Sequence, residues 1–466
     1  MHSFELSPTP ENILDCLEQD SIDRNSSIRN FITLLNSFNF GGSIALDASW
    51  GSGKTFFVKQ VKMVLDAFNE HIDEQSGHSH INIKTSIPCI SAFQNLDIQP
   101  MVSVYYDAWT NDNDVDPMLS LVYTILQSIN TDFEFSNGSR CMDMAFAVAD
   151  TLTGKSLSAI KDAYKAHKDS NPLALLKAQK DIHAQIEELL ASLLAERGNR
   201  LVIFVDELDR CKPTFAVQLL ERIKHYLSND QITFVFSVNT TELQHTIKQY
   251  YGTDFNATKY LDRFFDFRID LPPANMNKFY HHLGLNNDPW IYESVCKTVI
   301  NENHFTLREI SKFYRQAKTA AYKPTHDFKH YSFHFGEGKA LEFCLLYVVP
   351  VMIGLKINHQ TQYEEFINGT NATPLQTIFQ NHDLAFAVQH QLIDSNETYE
   401  RSSDTDKRRL VTVSEKIEQV YNAIFNHSYS GENYKTKIGE LIFTPHDRSE
   451  LLTIAGTLSE FADYTI

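Results

Sequence analysis

The feature that most limits how this chain can fold is a short apolar stretch, residues 43–47, running directly into Ala48-Ser49-Trp50-Gly51-Ser52-Gly53-Lys54-Thr55. Behind it, Phe57, Val61, Val64, Leu65 and Phe68 recur at helical spacing. A strand, a Gly/Ser turn and a helix in that order make a phosphate-binding loop, here with Ala48 in place of the first glycine. Gly51 and Gly53 let the backbone wrap a phosphate, and the N–H groups that follow turn positive charge toward it with the helix N-terminus behind them. Lys54 is placed to reach the β- and γ-phosphates, and the Thr55 hydroxyl to ligate Mg²⁺. The candidate cofactor-binding set is Ala48, Ser49, Trp50, Gly51, Ser52, Gly53, Lys54, Thr55 and Phe56. The plainer alternative, a Gly/Ser turn that happens to precede a helix, is outweighed by the strand and helix that flank the loop.

A second apolar run, residues 201–205, ends in Asp206-Glu207. At the end of such a strand Asp206 can hold the Mg²⁺ or its water, and Glu207 can orient and polarise an attacking water. For Glu207 alone, an exposed loop carboxylate is the competing reading. Further strand-like runs at 102–107, 232–238 and 265–271 alternate with helical patterns, notably 175–194 and 215–227, and Pro213 stands where a helix would begin. Ile28, Phe31, Ile32 and Leu35 mark an amphipathic helix ahead of the first strand. This alternation predicts a doubly wound parallel α/β sheet covered on both faces. Roughly 150 residues separate the first strand from residue 201, far more than one crossover needs, so a helical insertion is expected at about 111–197.

Past Pro272-Pro273 the strand signal fades. Residues 273–330 read as a helical lid, with Thr306-Leu307-Arg308-Glu309 in the capping-box pattern, and 331–466 as a mostly helical region. A polar linker is expected at 395–408 before a helix at 413–424. The apolar run 343–355 contains Pro350 and Gly354 and is too short to span a bilayer, so a buried helix pair is expected. His78 and His80 read as a surface loop, not a metal site, and the 6 cysteines include no C-x-x-C pair. With no leader pattern at the N-terminus, the chain reads as a soluble, cytoplasmic protein with reduced thiols and no membrane span. Asp plus Glu number 59 against 41 Lys plus Arg, a net charge of -18, which disfavours direct nucleic-acid binding.

Taken together these residues resemble the KAP family of P-loop NTPases over about residues 15–320. The resemblance rests on Trp50 inside the loop, on Tyr105-Tyr106-Asp107-Ala108-Trp109, and above all on Asp206-Glu207-Leu208-Asp209-Arg210-Cys211-Lys212-Pro213 with Leu219-Leu220-Glu221-Arg222-Ile223-Lys224. Departures are Asp107 for an Asn, Glu207 for a frequent Asp, and Asn239 for a frequent Asp. The resemblance implies the additional-strand, catalytic-glutamate type of sheet, strand order 5-1-4-3-2, with ATP and Mg²⁺ as cofactors. Many relatives carry membrane helices within the insertion; none is visible here, and that association is not carried over.

By the same resemblance, Asn239 matches a polar sensor of the γ-phosphate, although Asn239-Thr240-Thr241-Glu242 is equally a helix N-cap pattern. Arg263 is similar to the arginine that reaches a neighbour's nucleotide in related oligomeric ATPases; a strand-edge Arg paired with Asp262 or Asp266 is the alternative. Arg308 is placed like a second sensor arginine, against a solvated first-turn Arg. Asp209 is either a second water-activating acid or half of an ion pair with Arg210, for which a structural role is expected. Trp50 and Trp109 read as packing residues and Cys211 as a small buried one.

The expected activity is ATP hydrolysis by Glu207, Lys54, Asn239, Arg263 and Arg308, with Thr55 and Asp206 on the metal. The resemblance further implies an oligomerising switch that works with a separate effector protein in bacterial anti-phage defence. A non-hydrolysing nucleotide-gated scaffold is the alternative, and a small-molecule kinase a more distant one.

Overall fold

Five parallel strands place their C-terminal ends side by side, and that alignment gathers every residue of the predicted nucleotide site that lies on the sheet. A computed structural model describes residues 7–38, 41–72, 82–114, 116–129, 194, 197–226, 230–285, 291–324, 331–333, 338–400, 407–426, 435–444 and 451. The bulk of the expected insertion, the helical pattern before residue 194, and His78 and His80 lie outside the described residues. The chain divides into two units, Leu6–Phe279 and Tyr280–Ile466.

In the first unit α1 (Pro10–Gln19) and α2 (Asn25–Ser37) lead into β1 (Gly42–Asp47) and α3 (Lys54–Phe68). There follow β2 (Met101–Asp107), α4 (Pro117–Ile129), β3 (Arg200–Asp206), α5 (Pro213–Tyr226), β4 (Ile232–Val238), α6 (Thr240–Tyr251), α7 (Ala257–Leu261) and β5 (Phe267–Asp270). The order across the sheet is β2-β3-β4-β1-β5, which is the expected 5-1-4-3-2 read from the other edge. Register puts Asp107 beside Asp206, Asp206 beside Ser237, and Val238 beside Asp47.

Side chains alternate between faces along each strand. Leu201, Ile203 and Val205 of β3 join one core with α4, α5 and α6, while Val202 and Phe204 join the other with α1, α2 and α3. Both faces are dry, which explains why β3 and β4 read as unbroken apolar runs. Helix α4 falls inside the expected insertion, yet Met118, Leu121, Val122 and Ile125 belong to the sheet's own core.

The second unit is mostly helical. Thr306 caps the helix Leu307–Ala321 with the reciprocal Thr306–Glu309 bonds predicted from sequence. Among the described residues three two-stranded ladders accompany the helices, including one that joins Glu397–Thr398 to Arg409–Leu410 across the expected linker. The run 343–355 is not a helix pair. Lys339–Phe343, the π-turn Cys344–Val348 and Val349–Asn358 form one continuous helical stretch. The π-turn resolves the Pro350 problem: Val349 N–H bonds five residues back to Cys344 O, so the missing proline N–H falls at an already widened turn. By length and composition this 20-residue stretch could cross a membrane, but 72% of its most apolar window is buried within the protein. At Gly354 a Cβ would lie 2.5 Å from Val299 Cγ1, so the close approach of the helix Ile291–Glu302 requires glycine.

One charge cluster holds the far end of this unit together. Lys416 is 1% exposed and donates to Glu397 Oε2 at 2.6 Å and Asp394 Oδ2 at 3.1 Å. Lys416→Met is expected to cost about 3–5 kcal/mol by stranding Glu397. Lys416→Met combined with Glu397→Leu is expected to recover most of that loss, as read by urea denaturation of the three proteins.

Candidate functional site

The end of β1 is anchored before the loop begins. Thr240 N–H donates to Asp47 Oδ1 at 2.9 Å and its hydroxyl to Oδ2, while Ala48 N–H extends the ladder to Val238 O at 3.2 Å. The chain then leaves the sheet through Gly51 at φ 79° and Gly53 at φ 92°, where a side chain would cost about 1–2 kcal/mol. Ala48 has no positive φ, which is why alanine serves where the motif usually carries glycine. Ser52 Oγ closes the turn on Ser49 O at 2.7 Å. Lys54 opens α3 and folds back, its ammonium donating to Ala48 O at 2.6 Å and Ser49 O at 3.2 Å. Burial draws the Lys54 pKa down, and the carboxylates of Asp209, Asp206 and Glu207 oppose that shift. A buried cation whose hydrogen bonds, among the described residues, go to carbonyl oxygens is suited to an incoming anion. Thr55 sits half-buried in the first turn beside Phe56, which packs on the sheet.

At the end of β3, Asp206 is 1% exposed. Its Oδ2 accepts from Tyr105 Oη at 2.9 Å and its Oδ1 from Glu207 N–H at 3.1 Å. Burial, reinforced by Asp206, pushes the Tyr105 phenol far above its ordinary range, so it remains a donor. Glu207 follows with a left-handed backbone, φ 61° and ψ 22°, which turns its side chain off the strand direction. Its Oε2 meets Arg210 Nε at 2.5 Å. Burial and then Asp206 raise the Glu207 pKa, while Arg210 lowers it.

Of the two readings left open for Asp209, the ion pair with Arg210 does not form. Arg210 goes to Glu207, and Asp209 Oδ2 accepts from Trp50 Nε1 at 2.6 Å and from Asn239 N–H at 3.1 Å. Nor are the indoles core residues: Trp50 is 43% and Trp109 53% exposed, and the Arg210 guanidinium lies 5.4 and 5.7 Å from their ring centres. Trp50 has a polar N–H that Asp209 satisfies at the rim, and its ring gains more from the cation than from the core. Cys211 is buried, as expected, and burial raises its thiol far above the ordinary range.

The three residues read as sensors or finger part company. Asn239 caps α6, its Oδ1 accepting from Thr241 and Glu242 N–H at 3.1 and 3.4 Å. That cap uses only the oxygen end of its amide, and its backbone touches Asp209 at the rim of the loop. Arg263 is exposed and makes no ion pair among the described residues; Asp262 pairs with Arg268 at 2.6 Å and Asp266 accepts from Ser43 N–H. It precedes β5, level with the start of β1, so the length of β1 at about 3.3 Å per residue separates it from its own phosphate loop. Arg308 lies in the second unit, exposed in the first turn of Leu307–Ala321.

The donors fit Mg²⁺. Thr55 and Asp206 supply oxygens of the kind this ion takes alongside waters and phosphates. Asp206 is a buried carboxylate that makes no ion pair among the described residues, which leaves its charge available to a cation. The Tyr105 hydrogen bond to Asp206 is not marked by any motif; the signal that points to it is β2 pairing next to β3, which brings the phenol to the strand end.

A pH dependence follows from Asp209. Burial, ahead of its hydrogen bonds, raises its pKa in the folded chain. The folded state therefore keeps a proton that the unfolded chain has released, and stability falls as pH climbs through that interval. Asp209→Asn keeps an oxygen for Trp50 and Asn239 but cannot ionise. It is expected to lose less stability than the natural protein as pH rises above the ordinary Asp range of about 4, measured by urea denaturation at each pH; equal slopes would contradict the assignment.

The KAP family P-loop domain matches residues 24–369, well over half of the chain. Among curated proteins none matches it. With the glycine cradle, the buried lysine, the paired acids after β3 and the five-strand parallel order already in place, the chain belongs to the KAP family of P-loop NTPases, a membership that implies nucleotide binding.

Proposed function

We propose that this protein binds Mg·ATP and hydrolyses its γ-phosphate, and that turnover drives a switch between assembly states in concert with a separate effector protein. Bacterial anti-phage defence, in the cytoplasm, is the setting we assign to that switch. The observation that carries the catalytic reading is one buried ammonium, Lys54, facing the acids Asp206, Glu207 and Asp209 at the mouth of a glycine loop. Lys54 neutralises phosphate oxygens, and the loop N–H groups hold them in place. Bound Mg²⁺ would neutralise developing charge on the phosphates, held by Thr55 and Asp206. Glu207 acts as the water-orienting base, and its raised pKa makes it a stronger base than a surface carboxylate.

The ion pair between Glu207 and Arg210 favours a second reading, a nucleotide-gated scaffold in which the base stays tied and binding alone sets the conformation. Phosphate release separates the two. Assembly draws support from Arg263, an exposed arginine that its own loop cannot use and that a neighbouring copy could. The net charge of -18 supports a protein effector over nucleic acid.

Glu207→Gln is expected to bind Mg·ATP normally, to release phosphate about 10²–10⁴ times more slowly, and to gain mass with Mg·ATP in light scattering. Lys54→Ala is expected to lose both binding and the mass gain. A natural protein that binds but releases no phosphate would establish the scaffold, and an unchanged monomer of Glu207→Gln with bound nucleotide would remove the self-assembling switch.

A further inference from the structure

Arg24 stands immediately before α2, 3% exposed, and both Nη1 and Nη2 donate to Ser52 O at 3.2 Å. Its Nε is buried with no hydrogen-bond partner, and Arg24 makes no ion pair among the described residues. The acids nearest in the chain are engaged elsewhere. Asp20 and Asp23 hold Lys278 at 2.9 and 2.7 Å, and Asp20 also accepts from Asn25 N–H. Burial pulls the Arg24 pKa down to about 10, and no carboxylate offsets that shift. A buried guanidinium with no counter-charge is a net cost to the nucleotide-free fold.

What it holds explains why that cost is carried. No peptide among the described residues is cis, so the Ser52 carbonyl and the Gly53 N–H point in opposite directions. With the carbonyl fixed on Arg24, the Gly53 N–H points away from the guanidinium, and in a glycine loop that opens a helix such N–H groups converge on phosphate. A charged donor on the carbonyl also polarises the peptide and strengthens what its N–H can donate. We propose that Arg24 is a positioning residue for phosphate: it fixes the Ser52–Gly53 peptide so that Gly53 N–H meets the phosphate chain of a nucleotide, whose charge is the counter-ion that Arg24 lacks. The inference rests on the reading of this loop as a nucleotide site. It adds a residue from outside the motif, 28 positions upstream of the peptide it orients.

The test compares the full chain with Arg24→Met and Arg24→Lys, measuring calorimetric affinity for Mg·ATP and for Mg·pyrophosphate, and melting without nucleotide. Arg24→Met is expected to weaken both ligands by the same factor, about 10- to 100-fold, because the effect is on phosphate and not on the base. Melting of its nucleotide-free form is expected to be unchanged or higher, since an uncompensated buried charge has gone. Arg24→Lys keeps the charge without the fork and is expected to fall between. A plain structural brace would do the reverse, lowering the melting temperature while the folded protein kept its affinity, and that result overturns the inference. If Arg24→Met does not fold, Arg24→Lys binding both ligands like the natural protein overturns it as well. A natural protein that binds neither ligand overturns the nucleotide reading and this inference with it; natural binding that Arg24→Met leaves intact overturns this inference alone.

Discussion

The carboxylate of Asp209 is the contact on which the site's geometry depends. Three loops leave neighbouring strand ends, after β1, β3 and β4, and each would be free to wander at a cost of about 1–2 kcal/mol per residue to fix again. One buried oxygen of Asp209 accepts from Trp50 in the first loop and from the Asn239 backbone in the third, while its own turn is the second. The Asp209 carbonyl also receives the Thr246 hydroxyl from α6 at 3.3 Å. A residue that a water-activating role would expose is instead 5% exposed and spent on joining loops. The phosphate loop and the acids that follow β3 are thereby held in one frame.

Charges in this protein divide into those with partners and those without. Lys278 sits between Asp20 and Asp23, Arg222 meets Asp116, and Lys416 is enclosed by Asp394 and Glu397. These are structural pairs; the geometry around Lys416 answers the desolvation of a buried charge, whereas Lys278 and its acids remain partly exposed and pair at little cost. Lys54, Asp206 and Arg24 are buried and lack such pairing, and all three lie on or against the phosphate loop or the strand end beside it. A fold carries unbalanced buried charge where a ligand balances it, so local departure from good packing and the location of function coincide here.

Much of the site was legible because its signals are local. Gly51 and Gly53 were readable as positive-φ positions, Pro213 as a helix start and Thr306-Glu309 as a cap, since each follows from one residue's own stereochemistry or a three-residue spacing. Parity along β3 and β4 was readable as burial on both faces. The indoles were misread because apolar area argues for the core, whereas Trp50 and Trp109 flank an arginine at the rim. The partner of Arg210 is not legible in the sequence: Asp209 is adjacent to it, but the left-handed turn at Glu207 brings the other acid to the guanidinium. Pro350 predicts a break between two helices, and the continuous helix through it is not legible because a π-turn has no sequence signature of its own.

By itself, the sequence determined that a parallel sheet would carry a phosphate loop at one strand end and a pair of acids at another, because apolar periodicity and glycine stereochemistry act over a few residues. The strand order came from resemblance and is realised as β2-β3-β4-β1-β5. Only the tertiary structure decided which polar groups meet. Trp50 and Asp209 are 159 residues apart, Tyr105 and Asp206 are 101 apart, and Arg24, which no motif marks, reaches the Ser52 carbonyl of the loop. Such pairings depend on how three loops and a preceding helix pack against the same strand ends, and packing at that separation is a property of the folded chain and not of any window of its sequence.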